Sequence, residues 1–133
     1  MNAVFPGRFE SLAKISEFVR AQADAAGLND ESLYAIELAV DEACSNIIEH
    51  AYQGEDLGDI RISCLNDSQS FTIIIKDRGQ AFDPKAIAKP DLETPIMDRE
   101  PGGLGLFYIQ SMMDQVDYSF QSDENVLTLV KQK

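Results

Sequence analysis

Three short stretches of the chain carry residue types that could do chemistry together. The first is Glu42-Ala-Cys-Ser-Asn46-Ile-Ile-Glu-His50, inside a run without Gly or Pro. On a helix, residues four apart share nearly one face at about 6 Å, so Glu42 and Asn46 would stand side by side and His50 would follow one turn on. An amide oxygen and a carboxylate at that spacing suit a hard cation and a nearby proton acceptor. Asn is only a middling helix former, and here it sits beside Cys44 and Ile47, where an apolar residue would cost less. A lone His50 is more often a hydrogen-bonded structural residue than a catalyst.

The second stretch, Asp77-Arg78-Gly79-Gln80-Ala81-Phe82-Asp83-Pro84, directly follows a strongly apolar segment. A carboxylate at a strand end can accept a hydrogen bond from an exocyclic amine, and Gly79 would let the backbone approach a flat ring with no Cβ in the way. The third is Gly102-Gly103-Leu104-Gly105-Leu106-Phe107. Glycines opening a helix leave unpaired N–H groups at a positive dipole end, a natural phosphate seat. It is neither the dinucleotide fingerprint nor a GxxxxGK[ST] loop. Taken singly, a solvated carboxylate, an ordinary turn and a sharply bending loop would account for the three. Their order gives them a joint logic: a cation-and-base helix, an amine-reading turn and a phosphate-seating loop make one nucleotide site.

The elements that must position these residues are legible from periodicity. Leu12, Ile15, Val19 and Ala23 recur at helical spacing between Ser11 and Ala26, and Gly27 stops that helix. Asn29 or Asp30 can cap a second helix running to about Tyr52, roughly 30 Å long, with Leu33, Ile36, Val40, Cys44 (or Ala43), Ile47 and Ala51 as its buried stripe. Ile60–Leu65 and Phe71–Lys76 read as strands around the turn Asn66-Asp67-Ser68. A stretch from Asp83 to Gly103 carries four prolines and is long enough for a lid or binding loop. Leu104–Met113 reads as a short helix, and Val116–Gln121 and Val126–Val130 as a hairpin around Ser122-Asp123-Glu124-Asn125. This order predicts an α+β two-layer sandwich, with helices on one face of a mainly antiparallel mixed sheet.

Composition narrows the class. With 133 residues, 44% of them hydrophobic, the chain suits one domain spanning 1–133, and can bury about two-thirds of its unfolded surface without disulfides or a structural metal. No apolar run exceeds the four residues Leu106 to Ile109, against about 20 for a membrane span. Met1 to Phe9 lack a basic start followed by an apolar stretch, so no secretory signal and a cytoplasmic location are expected. The net charge of −12 repels phosphate backbones and argues against a nucleic-acid partner. From Ala21 to Ile60 there are ten acids and no Lys or Arg, which is either a solvated face or a surface for a basic protein. Cys44 and Cys64 form no CxxC motif and read as buried apolar residues in a reducing compartment.

With these motifs in order, the sequence resembles the GHKL ATP-binding superfamily, and within it the small anti-sigma-factor serine/threonine kinase family. Glu42-Ala-Cys-Ser-Asn46…His50-Ala-Tyr52 resembles the first box of that family, Asp77-x-Gly79 with Phe82-Asp83-Pro84 the second, and Gly103-x-Gly105 the third. The resemblance covers nearly the whole chain, including an amino-terminal strand before the first helix. Larger relatives couple ATP to a second domain or need a phosphoacceptor hairpin, and neither fits in 133 residues.

The resemblance implies ATP and Mg2+ as cofactors, with an ATP lid at approximately 84–102. It implies that Glu42 orients or deprotonates the attacking hydroxyl of a protein Ser or Thr, and that Asn46 holds the magnesium. Asp77 would read the adenine amine with Gly79 beneath the ring, while His50 and Phe82 would also belong to the cofactor site. Gly103, Leu104, Gly105 and Leu106 would meet the phosphates. An unperturbed glutamate titrates near about 4.3, which would leave Glu42 ionised and a weak base. Better-studied members carry a basic residue just before the last box; Pro101 stands there, with Arg99 two positions earlier as the candidate phosphate contact. The lid also lacks the Thr-Thr-Lys pattern of some members. The implied partners are a sigma factor and an anti-anti-sigma STAS-domain protein, the substrate, with a homodimer also expected and no membrane. The alternative is a nucleotide-gated partner-switching module with little or no kinase activity, favoured by the shifted Arg99; a plain α+β interaction domain is the third reading.

Overall fold

A computed structural model of the chain describes residues 1–82 and 109–133. The expected lid at 84–102, Arg99 and the box Gly103-Leu104-Gly105-Leu106 lie outside the described residues.

Helix α1 (Ser11–Ala25) buries Ser11, Ile15, Val19 and Ala23, the four-residue spacing of a single stripe. It ends where Gly27 takes φ +88°. The Gly27 amide then donates to Asp24 O at 3.0 Å and the Leu28 amide to Ala23 O at 3.2 Å, which satisfies carbonyls left over by the last turn. Helix α2 (Asp30–Asn46) starts at Asn29, whose side chain accepts from the Ser32 amide at 2.8 Å, and Asp30 and Glu31 sit at the positive end of its dipole.

The helical run reaches Ala51, close to the expected end at about Tyr52, but its winding changes after Asn46. From Ile47 to Ala51 the backbone widens into a π turn. The Tyr52 amide reaches back five residues to Ile47 O at 2.9 Å. Ile47, Ile48 and Ala51 are buried there, positions that either winding would bury, so the apolar pattern carries no mark of the change.

Among the described residues, five strands form one sheet: β1 (Asn2–Pro6), β2 (Asp59–Asn66), β3 (Ser70–Asp77), β4 (Gln115–Gln121) and β5 (Glu124–Gln132). Their order is β1-β2-β3-β5-β4 and every pairing is antiparallel. The register aligns Ile62 with Ile75 and Leu127, and Cys64 with Ile73 and Leu129, so one face of the central strands is continuous and apolar. That face joins the buried stripes of α1 and α2 in one core. The expected two-layer α+β architecture is the one observed.

The first hairpin turns one residue later than expected, since Asn66 belongs to β2 and 67–69 make the turn, with Asp67 Oδ1 accepting from the Gln69 and Ser70 amides at 2.7 and 2.8 Å. The second is tighter than expected. Ser122 and Asp123 alone form the turn, both with positive φ (53° and 62°), as a two-residue hairpin connection requires. Glu124 and Asn125 therefore belong to β5 and not to the loop. Among the described residues, 109–112 are helical, and no helix is long and apolar enough to cross a membrane.

Candidate functional site

Asp77 is the last residue of β3 and keeps the phase of Phe71, Ile73 and Ile75, so strand alternation turns it inward. Only 2% of it is exposed. A carboxylate so placed needs partners, and two converge on one oxygen: Oδ1 accepts from the Gly79 amide and from Asn125 Nδ2, each at 2.9 Å. Burial raises the Asp77 carboxyl above its ordinary range, and these two hydrogen bonds and Arg61 pull in the opposite sense. Asp77 lines a pocket between the end of α2 and the sheet, together with Ala43, Asn46, Ile47, Ala51, Phe82, Tyr118, Asn125 and Leu127.

Across this pocket stands Asn46, the last residue of α2 before the π turn, 4% exposed. Its Nδ2 is the one buried side-chain N or O atom without a hydrogen-bond partner among the described residues. An orphaned buried amide costs about 1–3 kcal/mol, a cost a ligand can relieve. Since the amide carries an acceptor at one end and donors at the other, it can meet a cation or a phosphate oxygen.

Glu42 lies one turn earlier on α2, half-buried and outside the pocket lining. Burial, then the neighbouring charges of Asp41 and Glu49, raise its carboxyl above the ordinary glutamate value. This corrects the expectation of an unperturbed side chain: Glu42 is a better base than composition suggests, because burial first, and then the nearby acids, disfavour its charge.

The π turn and the Asp77–Gly79 turn are laced together. A Cβ on Gly79 would lie 2.5 Å from the carbonyl carbon of Ala51 and 2.6 Å from its oxygen. Glycine at 79 is thus required by the Ala51 backbone. The Gln80 amide donates to Ala51 O at 2.9 Å and its side-chain nitrogen to His50 O at 3.0 Å. His50 stacks on Phe82, with centroids 4.9 Å apart and rings 14° from parallel. Behind them, the Tyr52 hydroxyl donates to Asp59 O at 2.6 Å and accepts from the Arg78 amide at 3.0 Å, which ties the start of β2 and the residue after β3 to the end of the π turn.

The structure therefore brings Asn46, Asp77 and Phe82 to one pocket, sets His50 and Gly79 against its rim, and leaves Glu42 a helical turn away. Sequence reasoning missed Asn125 and Tyr118. Asn125 Nδ2 also donates to Gln80 O at 2.8 Å, while its Oδ1 accepts from the Phe82 amide at 3.0 Å and from the Tyr118 hydroxyl. The signal was available: Asn125, Leu127 and Leu129 share a period of two, which carries Asn125 onto the buried face. Both cysteines are buried, as expected. Cys44 is wholly buried and its thiol is pushed far up, and burial lifts Cys64 to about 11, so neither is reactive.

Comparison with known proteins agrees with this geometry. Residues 5–131 match the model of the histidine kinase-like ATPase domain family. The serine-protein kinase RsbW of Halalkalibacterium halodurans is 34% identical over 116 residues, 84% of this chain and 70% of that protein. The serine-protein kinase RsbW of Bacillus thuringiensis (strain Al Hakam) is 30% identical over 129 residues, 94% of this chain and 79% of that protein. With the expected sandwich, a buried carboxylate at a strand end and a buried amide at a helix end, the chain belongs to the histidine kinase-like ATPase domain family, on the branch of the RsbW serine-protein kinases.

Proposed function

We propose that this protein is an ATP-dependent serine/threonine kinase acting as an anti-sigma regulator: it phosphorylates an anti-anti-sigma STAS-domain partner and sequesters a sigma factor. The observation that carries the reading is the orphaned Asn46 amide facing the Asp77 pocket, on a chain similar to RsbW kinases over most of its length. Among the described residues no three His, Cys, Asp or Glu side chains cluster to hold a metal. A magnesium ion on Asn46 would thus share its coordination with phosphate oxygens and water, as that ion usually does.

Bound Mg-ATP would supply the transferable phosphoryl group and the neutralisation of its charge. The chain's own part is alignment. Asp77 would receive the exocyclic amine of the base in the pocket, while the Phe82–His50 stack would border it. Gly103, Leu104, Gly105 and Leu106 would meet the phosphates, with Arg99 reaching the terminal one and 84–102 acting as the lid. Glu42 would orient the attacking hydroxyl and take its proton, and its raised pKa supports that role.

Transfer of labelled phosphoryl from ATP to a purified STAS-domain candidate tests the proposal. The wild type is expected to transfer, and Glu42→Ala to bind Mg-ATP equally well without transferring. Binding with no transfer in either protein would replace the kinase by a nucleotide-gated partner-switching module, the reading favoured by Pro101 standing where relatives carry a basic residue.

A further inference from the structure

Strand β1 lies at one edge of the sheet, and among the described residues no strand pairs with its outer side. The phase of the ladder shows which backbone groups are left there. Met1 N donates to Cys64 O and the Cys64 amide to Met1 O, each at 2.9 Å, and the Gly7 amide donates to Gly58 O at 2.8 Å. Antiparallel pairs alternate between bonded and non-bonded. Ala3 and Phe5 therefore also face β2, while Asn2, Val4 and Pro6 turn their backbone groups outward. Pro6 O is occupied by the Arg8 amide and the Ser11 hydroxyl. What remains is the N–H and C=O of Asn2 and Val4, a template on which an extended chain can add a strand.

Beside this edge, on the sheet face opposite the helices, a groove of about 450 Å³ runs among Val4, Tyr52, Leu57, Asp59, Arg61 and Arg78. Val4 and Leu57 are 60% and 63% exposed, so its rim holds apolar surface in water. Val4, Arg61 and Lys76 follow one another across β1, β2 and β3. Arg61 is engaged by Glu124, whereas the Arg78 side chain is exposed and without a partner among the described residues. Arg61, Lys76 and Arg78 outnumber Asp59 and Glu124 here, although the chain as a whole carries −12. We infer that the β1 edge and this groove form a docking surface for an extended, acidic and aliphatic segment of a partner protein. The backbone of that segment pairs with Asn2 and Val4, and its groove-facing side chains bring a carboxylate to Arg78 and apolar cover to Val4 and Leu57. Main-chain pairing supplies affinity in this mode and the side chains supply selectivity; a guanidinium and a carboxylate make the stronger kind of hydrogen bond. Asp77 faces the opposite side of the sheet, so the inference does not depend on the nucleotide reading.

The test is an NMR titration of the full, isotope-labelled chain with a short acetylated peptide of glutamate and valine. Shift changes are expected at Asn2, Val4, Leu57 and Arg78, and at saturation the Asn2 and Val4 amides should exchange more slowly with solvent. Val4→Pro removes one outward N–H and no ladder bond, which an edge strand tolerates, and it should weaken the peptide about fivefold. Val4→Thr keeps that N–H and should bind like the wild type. Arg78→Gln should weaken the peptide about threefold. Lys14→Gln, the same loss of charge on the exposed side of α1, should leave affinity unchanged. Should Val4→Pro fail to fold, Arg78→Gln and amide exchange in the wild type decide. No binding by the wild type, shifts confined to other surfaces, or equal weakening by Lys14→Gln would overturn the inference. So would sedimentation showing a dimer that Val4→Pro dissociates, since the edge would then belong to a second copy of the chain.

Discussion

Gly79 packs so closely on Ala51 that a single added carbon would lie 2.5 Å from the Ala51 carbonyl carbon. The contact joins two motifs 28 positions apart, the end of the π turn and the turn after β3. It has a direct consequence. Gly79→Ala should destabilise the protein by about 1–3 kcal/mol, the usual range for overpacking, because the obstruction is backbone and cannot rotate away. Urea unfolding measures this; an unchanged midpoint would mean the two turns are free to separate.

Glu42 titrates high because it is half-buried beside Asp41 and Glu49. The acid limb of a transfer-rate profile should therefore lie above the ordinary glutamate value of 4.5. Asp41→Asn and Glu49→Gln each remove a like charge and should move that limb toward lower pH. A limb that stays in place in both variants would show that another group controls it.

Asp77 has a raised carboxyl in the folded state, so between its ordinary value of 3.8 and its raised one the native state binds more protons than the unfolded state. Stability from this group is therefore complete below that window and is lost as pH rises through it. Asp77→Asn keeps an acceptor for Gly79 and Asn125 but cannot ionise. Its stability, followed by denaturant unfolding from pH 4 upward, should fall less with rising pH than that of the wild type. Nucleotide affinity should drop at least tenfold in the same variant, since the amide presents a poorer acceptor to an amine.

The buried Asn46 amide has an unpartnered nitrogen. Asn46→Leu, similar in volume and free of that burden, should raise the stability of the ligand-free protein by about 1 kcal/mol and abolish magnesium-dependent ATP binding. Calorimetry and urea unfolding on one preparation check both halves.

Much of this architecture was legible because it is local. The stripe Ile15, Val19, Ala23, the cap at Asn29 and the alternation Phe71, Ile73, Ile75 state helix and strand within a few residues. Asn46 could be singled out as a polar residue beside Cys44 and Ile47 on a helix, and Asp77 as a carboxylate at the end of an apolar strand; both are buried. What was not legible depends on distant pairing. Asn125 gains its meaning only from lying opposite Asp77, which follows from β5 inserting between β3 and β4. The π turn left no trace because Ile47, Ile48 and Ala51 suit either helix. Strand β1, five residues at an edge, has too short an alternation to identify itself and was anticipated only through family resemblance.

The most direct test of the whole account is the unfolding free energy of the wild type with and without Mg-ATP, beside that of Asn46→Ala. At 100 times the dissociation constant, the ligand should stabilise the wild type by about 2.7 kcal/mol, with the gain vanishing when the metal is chelated and absent in the variant. No shift in the wild type, or an equal shift in Asn46→Ala, would contradict it.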